Sequence, residues 1–329
     1  MAPPRTSLLL AWLIAGVSSA TQAVPLPTQF EGDLVYVIPR VGESGTLRLY
    51  TDTGGGYFLS SEAVARLKLD AQPAPPELQQ EMGPLARLAR LPASLPESDL
   101  PRGLGLDGAI PVMPDRSGGM LPGASPMDGM LGAPWFGGRI WTWDFAGRQL
   151  IHETSDWTAT AGLQRVPLHF KQAPDGRRMT HFPRIAVRID GRELPMLLDT
   201  GAMTVLAPEA LQTLDDGAPA QRATSMIADN IFQAWRSAHP EWRVIEKAQA
   251  GTGSAMIEVP EVEIAGHLVG PVWFTHRPDR NFHEFMSGMM DARVEGAVGN
   301  NVFRHFRMTI DYPGASAWFS CAAECRTAR

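Results

Sequence analysis

The sequence predicts a mostly β protein made of two related halves. The tripeptide Asp-Thr-Gly occurs twice, at residues 52–54 and 199–201, and residues 51–67 align without a gap with residues 198–214. The 32 glycines and 28 prolines separate short apolar runs, a pattern typical of strands joined by turns. Because the two aspartates stand in equivalent frames, we expect them to form one site at a pseudo-twofold axis.

A second repeated block closes each half. Residues 128–132 match residues 295–299, and the strand-like residues 140–145 match residues 308–312. An isolated Asp-Thr-Gly is usually an ordinary turn, but two copies in matched frames favour an internal duplication. Each half therefore has the expected order of strand, Asp-Thr-Gly turn, strand, short helix, variable stretch, apolar-apolar-Gly segment and paired strands.

The N-terminal half begins with a predicted hairpin. Residues 32–41 and 46–51 have the composition of strands and are joined by a Gly-rich turn, so that the second strand ends at Asp52. Residues 61–67 form a predicted short helix that follows a capping segment. Residues 71–127 are rich in Pro, Gly and Leu, and their pattern leaves open a degenerate flap, a pocket-lining loop or a disordered segment.

The C-terminal half repeats this order. Residues 185–189 and 194–198 are predicted strands joined by an Asp-Gly turn, and they lead directly to Asp199. Residues 208–214 form the predicted short helix that corresponds to the helix of the first half.

Two further features occur in the second half. Residues 224–238 carry apolar side chains at helical spacing, which predicts an amphipathic helix packed on its own half. Residues 242–248 and 255–262 are predicted strands around the tip Gly251-Thr252-Gly253, a pattern typical of a hairpin with a flexible turn. This hairpin is the best candidate for a flap that covers a bound substrate.

Residues 1–23 have the pattern of a secretory signal peptide. Arg5 supplies a positive charge, residues 8–17 are apolar but too few to span a bilayer, and small residues precede an expected cleavage site after Ala23. Cleavage after Ala20 and a retained anchor are the alternatives. We therefore expect a mature chain that is exported, periplasmic or secreted, without a membrane anchor.

The polar stretch 152–162 divides the mature chain into an expected N-terminal lobe, residues 24–157, and an expected C-terminal lobe, residues 158–329. The formal net charge of −6 and the lack of Lys/Arg runs argue against a nucleic-acid partner. The only two cysteines, Cys321 and Cys325, form either a local disulfide or free thiols. The scattered histidines match no zinc motif, so we expect no metal site.

At the repeated residues the chain resembles the aspartic proteases of the retropepsin and pepsin clan. The resemblance covers most of the mature chain; residues 197–202 and 299–312 are most similar to bacterial retropepsin-like domains, and the N-terminal half is the more divergent copy. It implies a bilobal, pseudo-twofold aspartic protease fold of β-barrels with a few short helices. It also implies that residues 130–132 and 297–299 thread through the loops that hold the aspartates.

The resemblance assigns roles to the two tripeptides. Asp52 and Asp199 would be the catalytic pair, the threonines would brace the two loops, and the glycines would let backbone amides approach the carboxylates. These implied supports are Thr53, Gly54, Thr200 and Gly201. The implied partner is a polypeptide held in extended form, with no cofactor, and a monomer suffices because one chain supplies both aspartates.

Two residues depart from the pattern of the family. Pepsins place Ser or Thr directly after Asp-Thr-Gly, whereas this chain has Gly55 and Ala202. Fewer hydroxyl donors are expected to leave the pKa values of the two carboxyls higher. The tyrosine of the pepsin flap also has no evident counterpart among the four tyrosines.

The expected chemistry follows from two carboxylates placed side by side. Carboxylates about 3 Å apart repel by roughly 5 kcal/mol at an effective dielectric constant of about 20, so the pair retains one shared proton. The ionised member would take a proton from a water, and the protonated member would donate to the scissile carbonyl oxygen. We therefore expect an exported aspartic endopeptidase, and the alternative is a catalytically inactive exported peptide-binding or inhibitory protein on the same fold.

The pattern of residues 1–23 makes a testable prediction about export. Intact-mass measurement of the protein recovered from the exported fraction should give a chain that begins at Val24, or at Thr21 if cleavage follows Ala20. A chain in that fraction that still begins at Met1 would refute cleavage.

Overall fold

The computed structural model describes residues 23–41, 43, 45–92, 100–103, 106–113 and 121–328. The expected signal peptide therefore lies outside the described residues, apart from Ala23. Within these ranges the fold is mostly β, as the sequence predicts. No helix in the described part of the chain is both long and apolar enough to cross a bilayer.

The described residues of the first half form eleven strands and three α-helices. Its strands are β1 (Val24–Pro25), β2 (Thr28–Glu31), β3 (Leu34–Val37), β4 (Leu49–Asp52), β5 (Phe58–Ser60), β6 (Asp70–Pro73), β7 (Arg87–Arg90), β8 (Ile110–Met113), β9 (Gly129–Gly132), β10 (Ile140–Asp144) and β11 (Gln149–His152). Its helices are α1 (Ser61–Arg66), α2 (Pro76–Met82) and α3 (Ala133–Phe136), with a 3₁₀ turn at Leu106–Gly108.

In the second half, as far as residue 328, there are fifteen strands and three α-helices. Its strands are β12 (Gln164–Pro167), β13 (Arg184–Ile189), β14 (Arg192–Leu198), β15 (Met203–Val205), β16 (Gln221–Ala223), β17 (Ser225–Ala228), β18 (Val244–Ile245), β19 (Met256–Val259), β20 (Val262–Ile264), β21 (His267–Val269), β22 (Val272–Arg277), β23 (Gly296–Val298), β24 (Phe306–Asp311), β25 (Ser316–Cys321) and β26 (Arg326–Thr327). Its helices are α4 (Pro208–Leu214), α5 (Asp229–Ala238) and α6 (Asn300–Phe303), with a π-helical segment at Asn281–Met286 and a 3₁₀ turn at Ser287–Met289.

The two largest sheets contain the same four-stranded arrangement. The eight-stranded sheet has the order β2-β3-β4-β9-β5-β8-β7-β6, and the ten-stranded sheet has the order β18-β19-β22-β17-β23-β14-β13-β20-β21-β26. In the first, β4 pairs parallel with β9, β9 antiparallel with β5, and β5 parallel with β8. In the second, β14, β23, β17 and β22 pair in the same directions. The apolar-apolar-Gly strand therefore lies beside the strand that delivers the aspartate in both halves.

The second half contains an extra unit between the Asp-Thr-Gly turn and the strand that corresponds to β5. The sequence alignment pairs α1 with α4, and both helices form as predicted. In the ten-stranded sheet, however, the strand that corresponds to β5 is β17, because β17 pairs with β23 as β5 pairs with β9. The helix that follows this strand is α5, whereas α1 follows β5. Strand β15, helix α4 and strand β16 form the added unit, in which β15 and β16 pair only with each other. The predicted correspondence between α1 and α4 was therefore wrong: the two helices do not occupy equivalent positions in the two halves.

Several predicted elements differ in their bounds: the strand predicted at 32–41 ends at Val37, and the strand predicted at 46–51 spans Leu49–Asp52. Residues 224–238 are not one helix, because β17 precedes α5 and lies at the centre of a sheet, where pairing on both edges outweighs local helical periodicity. The predicted strand 32–41 begins two residues later, at Leu34, because Gly32 and Asp33 have φ of 56° and 64° and form the tight turn of the β2–β3 hairpin.

The described parts of residues 71–127 are partly ordered into sheet. Strands β6, β7 and β8 extend the eight-stranded sheet, and α2 lies between β6 and β7. The predicted hairpin around Gly251-Thr252-Gly253 forms between β18 and β19, with Ile245 opposite Met256. Its second arm ends at Val259 because the next residues turn into a separate hairpin, β20–β21.

A six-stranded sheet joins the two halves, in the order β1-β11-β10-β24-β25-β12. The central pair of strands in this sheet is β10 and β24, and the middle of their pairing is Thr142 opposite Thr309. Their hydroxyl oxygens are 2.7 Å apart, and the Thr142 hydroxyl also donates to Glu153 Oε1 at 2.6 Å. At the end of this sheet Cys321 and Cys325 form a disulfide, one of the two predicted states.

The central threonine pair makes a testable prediction about stability. Thr142→Val keeps the shape of the side chain but leaves the Thr309 hydroxyl and the Glu153 carboxylate with one partner fewer. We expect the free energy of unfolding to fall by about 1–3 kcal/mol in urea titrations. Thr28→Val, which removes an exposed hydroxyl 3.3 Å from Arg148 O, is the control and should cost less than about 0.5 kcal/mol. Equal losses of unfolding free energy in the two variants would contradict a stabilising role for the Thr142–Thr309 pair.

Candidate functional site

The two Asp-Thr-Gly turns lie face to face where the halves meet. A Cβ atom added to Gly54 would lie 2.7 Å from the carboxyl carbon of Asp199, and one added to Gly201 would collide with the carboxyl group of Asp52. Both glycines are therefore required for the close approach of the opposite carboxylate. The structure thus brings together the six residues of the two tripeptides.

The two threonines of these turns hold each other through reciprocal hydrogen bonds. The Thr53 hydroxyl donates to Leu198 O at 2.8 Å and accepts from the Thr200 amide at 2.9 Å. The Thr53 amide in turn donates to the Thr200 hydroxyl at 3.2 Å. Both side chains are fully buried, so neither hydroxyl can exchange these partners for water.

The carboxyl groups are surrounded by backbone donors. Asp52 Oδ1 accepts from the Gly54 amide at 2.9 Å, and Asp199 Oδ1 accepts from the Gly201 amide at 3.0 Å. Burial raises the pKa of Asp52 well above its ordinary value, and the charge of Asp199 raises it further. Burial also raises the pKa of Asp199. The interactions of this carboxyl with Asp52 and with backbone amides lower the same pKa and offset part of that rise. Because ionisation of both groups is disfavoured, the pair keeps one proton to higher pH than two isolated carboxyls would.

The missing hydroxyl after the first Asp-Thr-Gly has a steric cause. A Cβ atom on Gly55 would collide with the carboxylate of Asp52 and lie 2.6 Å from the sulfur of Met130. A serine or threonine therefore has no room at this position. Ala202, the equivalent residue of the second half, is also buried.

Apolar side chains flank the carboxyls on the same faces of the two sheets. Because side chains alternate along a strand, Tyr50 shares its face with Asp52, and Leu197 shares its face with Asp199. Met130 and Ala297 occupy equivalent places on the neighbouring strands β9 and β23. All four are at most 2 % exposed.

Different segments cover these two apolar walls. Met203 and Val205 from the added β15–β16 unit pack in one cluster with Tyr50 and Met130. Phe282 and Met286 from the π-helical segment, together with neighbouring side chains, pack in one cluster with Leu197 and Ala297. The walls beside the two aspartates are thus covered by the chain itself.

The candidate flap tip reaches the opposite half of the chain. Gly251 and Gly253 have φ of 78° and 68°, values that favour glycine, and a Cβ on Gly251 would lie 2.6 Å from the Pro122 side chain. The amide of Ala250 donates to Val205 O at 2.8 Å, so the loop lies on the added β15–β16 unit. The Thr252 hydroxyl donates to Gln249 Oε1 at 2.9 Å, within the hairpin.

Sequence reasoning missed two residues that contact these turns. The Tyr50 hydroxyl donates to Gly201 O at 2.6 Å, and burial raises the pKa of Tyr50 well above its ordinary value, so it stays a neutral donor. The Asn300 side-chain amide donates to Thr200 O at 2.8 Å and to Asp33 O at 2.9 Å. The available signals were the position of Tyr50 two residues before Asp52 and the position of Asn300 directly after the second apolar-apolar-Gly segment.

Among the described residues, no group of three or more His, Cys, Asp and Glu side chains is arranged to hold a metal ion. No protein-family model matches the chain, and no curated protein is significantly similar to it in sequence.

The threonine brace makes a testable prediction about stability. Thr53→Val removes both a donor to Leu198 O and the acceptor of the Thr200 amide, whereas Thr200→Val removes only the longer bond from the Thr53 amide. We expect losses in the free energy of unfolding of about 2–3 kcal/mol for the first variant and about 1 kcal/mol for the second, measured by urea titration. Thr53→Ser, which keeps the hydroxyl, is the control. A larger loss for Thr200→Val than for Thr53→Val would contradict this account of the brace.

Proposed function

We propose that the protein is an exported aspartic endopeptidase that hydrolyses peptide bonds with a water activated between Asp52 and Asp199. The observation that carries the proposal is the pair of adjacent carboxyls, each held by the backbone of its own Asp-Thr-Gly turn. The position of each carboxyl against the opposite turn and the raised pKa values of the two aspartates support one shared proton, which this chemistry requires.

We also propose the bilobal, pseudo-twofold aspartic protease fold for the chain, with lobes at residues 24–157 and 158–329. Three observations support it. The four-stranded arrangement around each aspartate is repeated, the six-stranded sheet has its centre at Thr142 and Thr309, and the two turns meet between the halves. In this fold one chain supplies the whole site, so the proposed active form is a monomer without a cofactor.

The proposed reaction needs no covalent intermediate. The ionised carboxyl accepts a proton from the water as the water oxygen bonds to the scissile carbonyl carbon, and the protonated carboxyl donates its proton to the carbonyl oxygen. The resulting tetrahedral gem-diol breaks its C–N bond as the protonated carboxyl gives its proton to the amide nitrogen and the other carboxylate takes a hydroxyl proton from the diol. The products are a carboxylic acid and an amine, and the pair again holds one proton. The close packing of the two glycines against the opposite carboxylates keeps both groups within reach of one water.

The proposed substrate is a polypeptide held in extended form. The hairpin tip Gly251-Thr252-Gly253 is the proposed flap, because it projects from a sheet edge and contacts the opposite half at Pro122. Backbone groups of such a hairpin can add hydrogen bonds to an extended peptide. The apolar walls beside Tyr50 and Leu197 favour apolar side chains near the scissile bond.

The alternative is a catalytically inactive exported peptide-binding or inhibitory protein, and the divergence of the first half, with Gly55 and Gly56 after its Asp-Thr-Gly turn, favours it. In both cases a peptide reaches the walls at Tyr50 and Leu197, which are at most 2 % exposed, only if the covering segments move. Retention of both aspartates in matched turns supports the endopeptidase instead, because a binding protein needs no shared proton.

Substitution of either aspartate tests the proposed function. Asp52→Asn and Asp199→Asn should each lower kcat by about 10²-fold or more, because half of the pair cannot both accept and donate a proton. The assay is cleavage of an unstructured protein by the mature chain at roughly pH 3 to 7, with and without an inhibitor that mimics the tetrahedral intermediate.

Asp311→Asn is the matched control, since Asp311 accepts from the Gly314 amide at a strand end and should retain near-normal turnover. Wild-type turnover by a folded Asp52→Asn or Asp199→Asn variant would refute the catalytic pair. Peptide binding without any cleavage by the wild-type protein would favour the alternative.

A further inference from the structure

Arg277 is the last residue of β22 and lies on the same face of the ten-stranded sheet as Asp199. The pairing of β14, β23, β17 and β22 places one residue of each strand in a single row: Leu197, Ala297, Met226 and Thr275. Because side chains alternate along a strand, a residue two positions further along shares the face of this row, which applies to both Asp199 and Arg277. Met226, in the middle of the row, is partly exposed, so the face is not fully covered between them.

An extended peptide can reach from Asp199 to Arg277. Strand β22 is three strands from β14 and runs in the opposite direction, so the two residues lie on opposite sides of the row. With strands about 4.8 Å apart and about 3.3 Å per residue along a strand, their Cα atoms are roughly 20 Å apart. An extended chain covers this distance with about six residues, and with fewer where the two side chains extend towards each other.

The guanidinium of Arg277 has no acidic partner among the described residues. Its Nη1 donates to Gln249 Oε1 at 2.8 Å and to His276 O at 3.0 Å, and both acceptors are neutral. Burial lowers the pKa of Arg277 to about 10, so the group keeps its positive charge at neutral pH. A partly buried cation without a counterion is unfavourable, and an anion bound beside it offsets that cost.

The acidic residues next to this part of the sheet have other partners. Glu295, which precedes β23, has its Oε2 at 2.9 Å from His283 Nε2. Asp229, which follows β17, has its Oδ1 at 2.7 Å from His276 Nε2. Neither carboxylate therefore neutralises Arg277.

Gln249 supplies a second donor beside the guanidinium. Its Oε1 accepts from Arg277 and, at 2.9 Å, from the Thr252 hydroxyl, and an arginine can only donate, so the orientation of the amide is fixed. Its Nε2 is buried and has no hydrogen-bond partner in the described part of the chain. From standard amide bond lengths, Nε2 lies within about 5 Å of Arg277 Nη1. The two oxygens of one carboxylate can accept from donors at this separation.

We propose that Arg277 and Gln249 form a carboxylate-binding site that selects substrates with an acidic group roughly four to six residues from the scissile bond. The carboxylate is that of an Asp or Glu side chain or that of the peptide's own C-terminus, since both have the same chemistry. The assignment of this carboxylate to a substrate rests on the proposed function. The pair of donors is a property of the folded chain.

The proposed site is connected to the proposed flap. Gln249 directly precedes the loop that carries Gly251-Thr252-Gly253, and its bond to Arg277 is one of the contacts that hold this loop in place. The guanidinium is partly exposed, whereas Gln249 is 1 % exposed. A carboxylate therefore meets Arg277 first and the Gln249 amide when the tip lifts, so recognition of the acidic group is coupled to the position of the flap.

The test measures the binding of matched peptides to the mature chain that carries Asp52→Asn, so that cleavage does not interfere. The probes are acetylated and amidated twelve-residue peptides with an apolar centre and one Glu at successive positions, each with a Gln counterpart. By isothermal titration calorimetry, the Glu peptide of the best position should bind about 10-fold or more tightly than its Gln counterpart. The net charge of −6 opposes this preference, which therefore reports a local site.

A further pair of Gln peptides, one ending in a free carboxylate and one in an amide, distinguishes the C-terminus from an acidic side chain as the source of the bound group. A preference for the free end alone would identify the C-terminus. A preference for an internal Glu would identify the side chain.

Three variants in the same background test the residues. Arg277→Gln should reduce the preference for Glu over Gln peptides to less than about twofold while the affinity for the Gln peptide changes less than about twofold. Gln249→Glu places a carboxylate of the chain itself against Arg277 and should remove the preference in the same way. Arg280→Gln is the matched control, because it makes the same change of charge at an exposed residue three positions away and should keep the preference.

The outcomes separate the inference from the proposed function. Equal affinities for Glu and Gln peptides, or no binding of either, would overturn the inference. An equal loss for both peptides in Arg277→Gln would also overturn it, because a guanidinium that only holds the hairpin tip affects both alike. If Arg277→Gln does not fold, Gln249→Glu decides. If the preference exists and both variants remove it but the wild type cleaves no peptide, the proposed function fails and the carboxylate site stands.

Discussion

The structure depends on the close approach of two carboxyl groups, that of the buried Asp52 and that of the half-buried Asp199. Like charges at this separation repel strongly in a medium of low dielectric constant, so the turns that carry them must be held together by other contacts. The reciprocal bonds of Thr53 and Thr200 supply that restraint, and Gly54 and Gly201 leave the necessary space. One shared proton removes most of such repulsion.

The duplicated architecture provides the frame for this contact. In each half a parallel strand pair ends at an Asp-Thr-Gly turn, and the six-stranded sheet joins the halves at Thr142 and Thr309. The second half adds β15, α4 and β16 without disturbing the four strands around its aspartate. The strands of the added unit, β15 and β16, pair with each other and take no place in the ten-stranded sheet.

Departures from twofold symmetry have chemical consequences. Tyr50 and Leu197 occupy equivalent positions, but only the tyrosine donates a hydrogen bond across the junction. The covering segments also differ, since the added unit lies against one wall and the π-helical segment against the other. A symmetric pair of aspartates is thereby placed in an asymmetric environment, which allows two identical side chains to take different protonation states.

The sequence by itself determined the mostly β class, the repeated turns, the short helices α1 and α4, and the candidate pair Asp52 and Asp199, because these follow from local composition and from a repeat. Only the tertiary structure decided that residues 225–228 form a central strand and that the Tyr50 hydroxyl bonds to Gly201 O. That bond joins residues 151 positions apart, and β17 is a strand only because β22 and β23 flank it. Neither contact leaves a local pattern, since the free energy that selects it comes from partners distant in the chain.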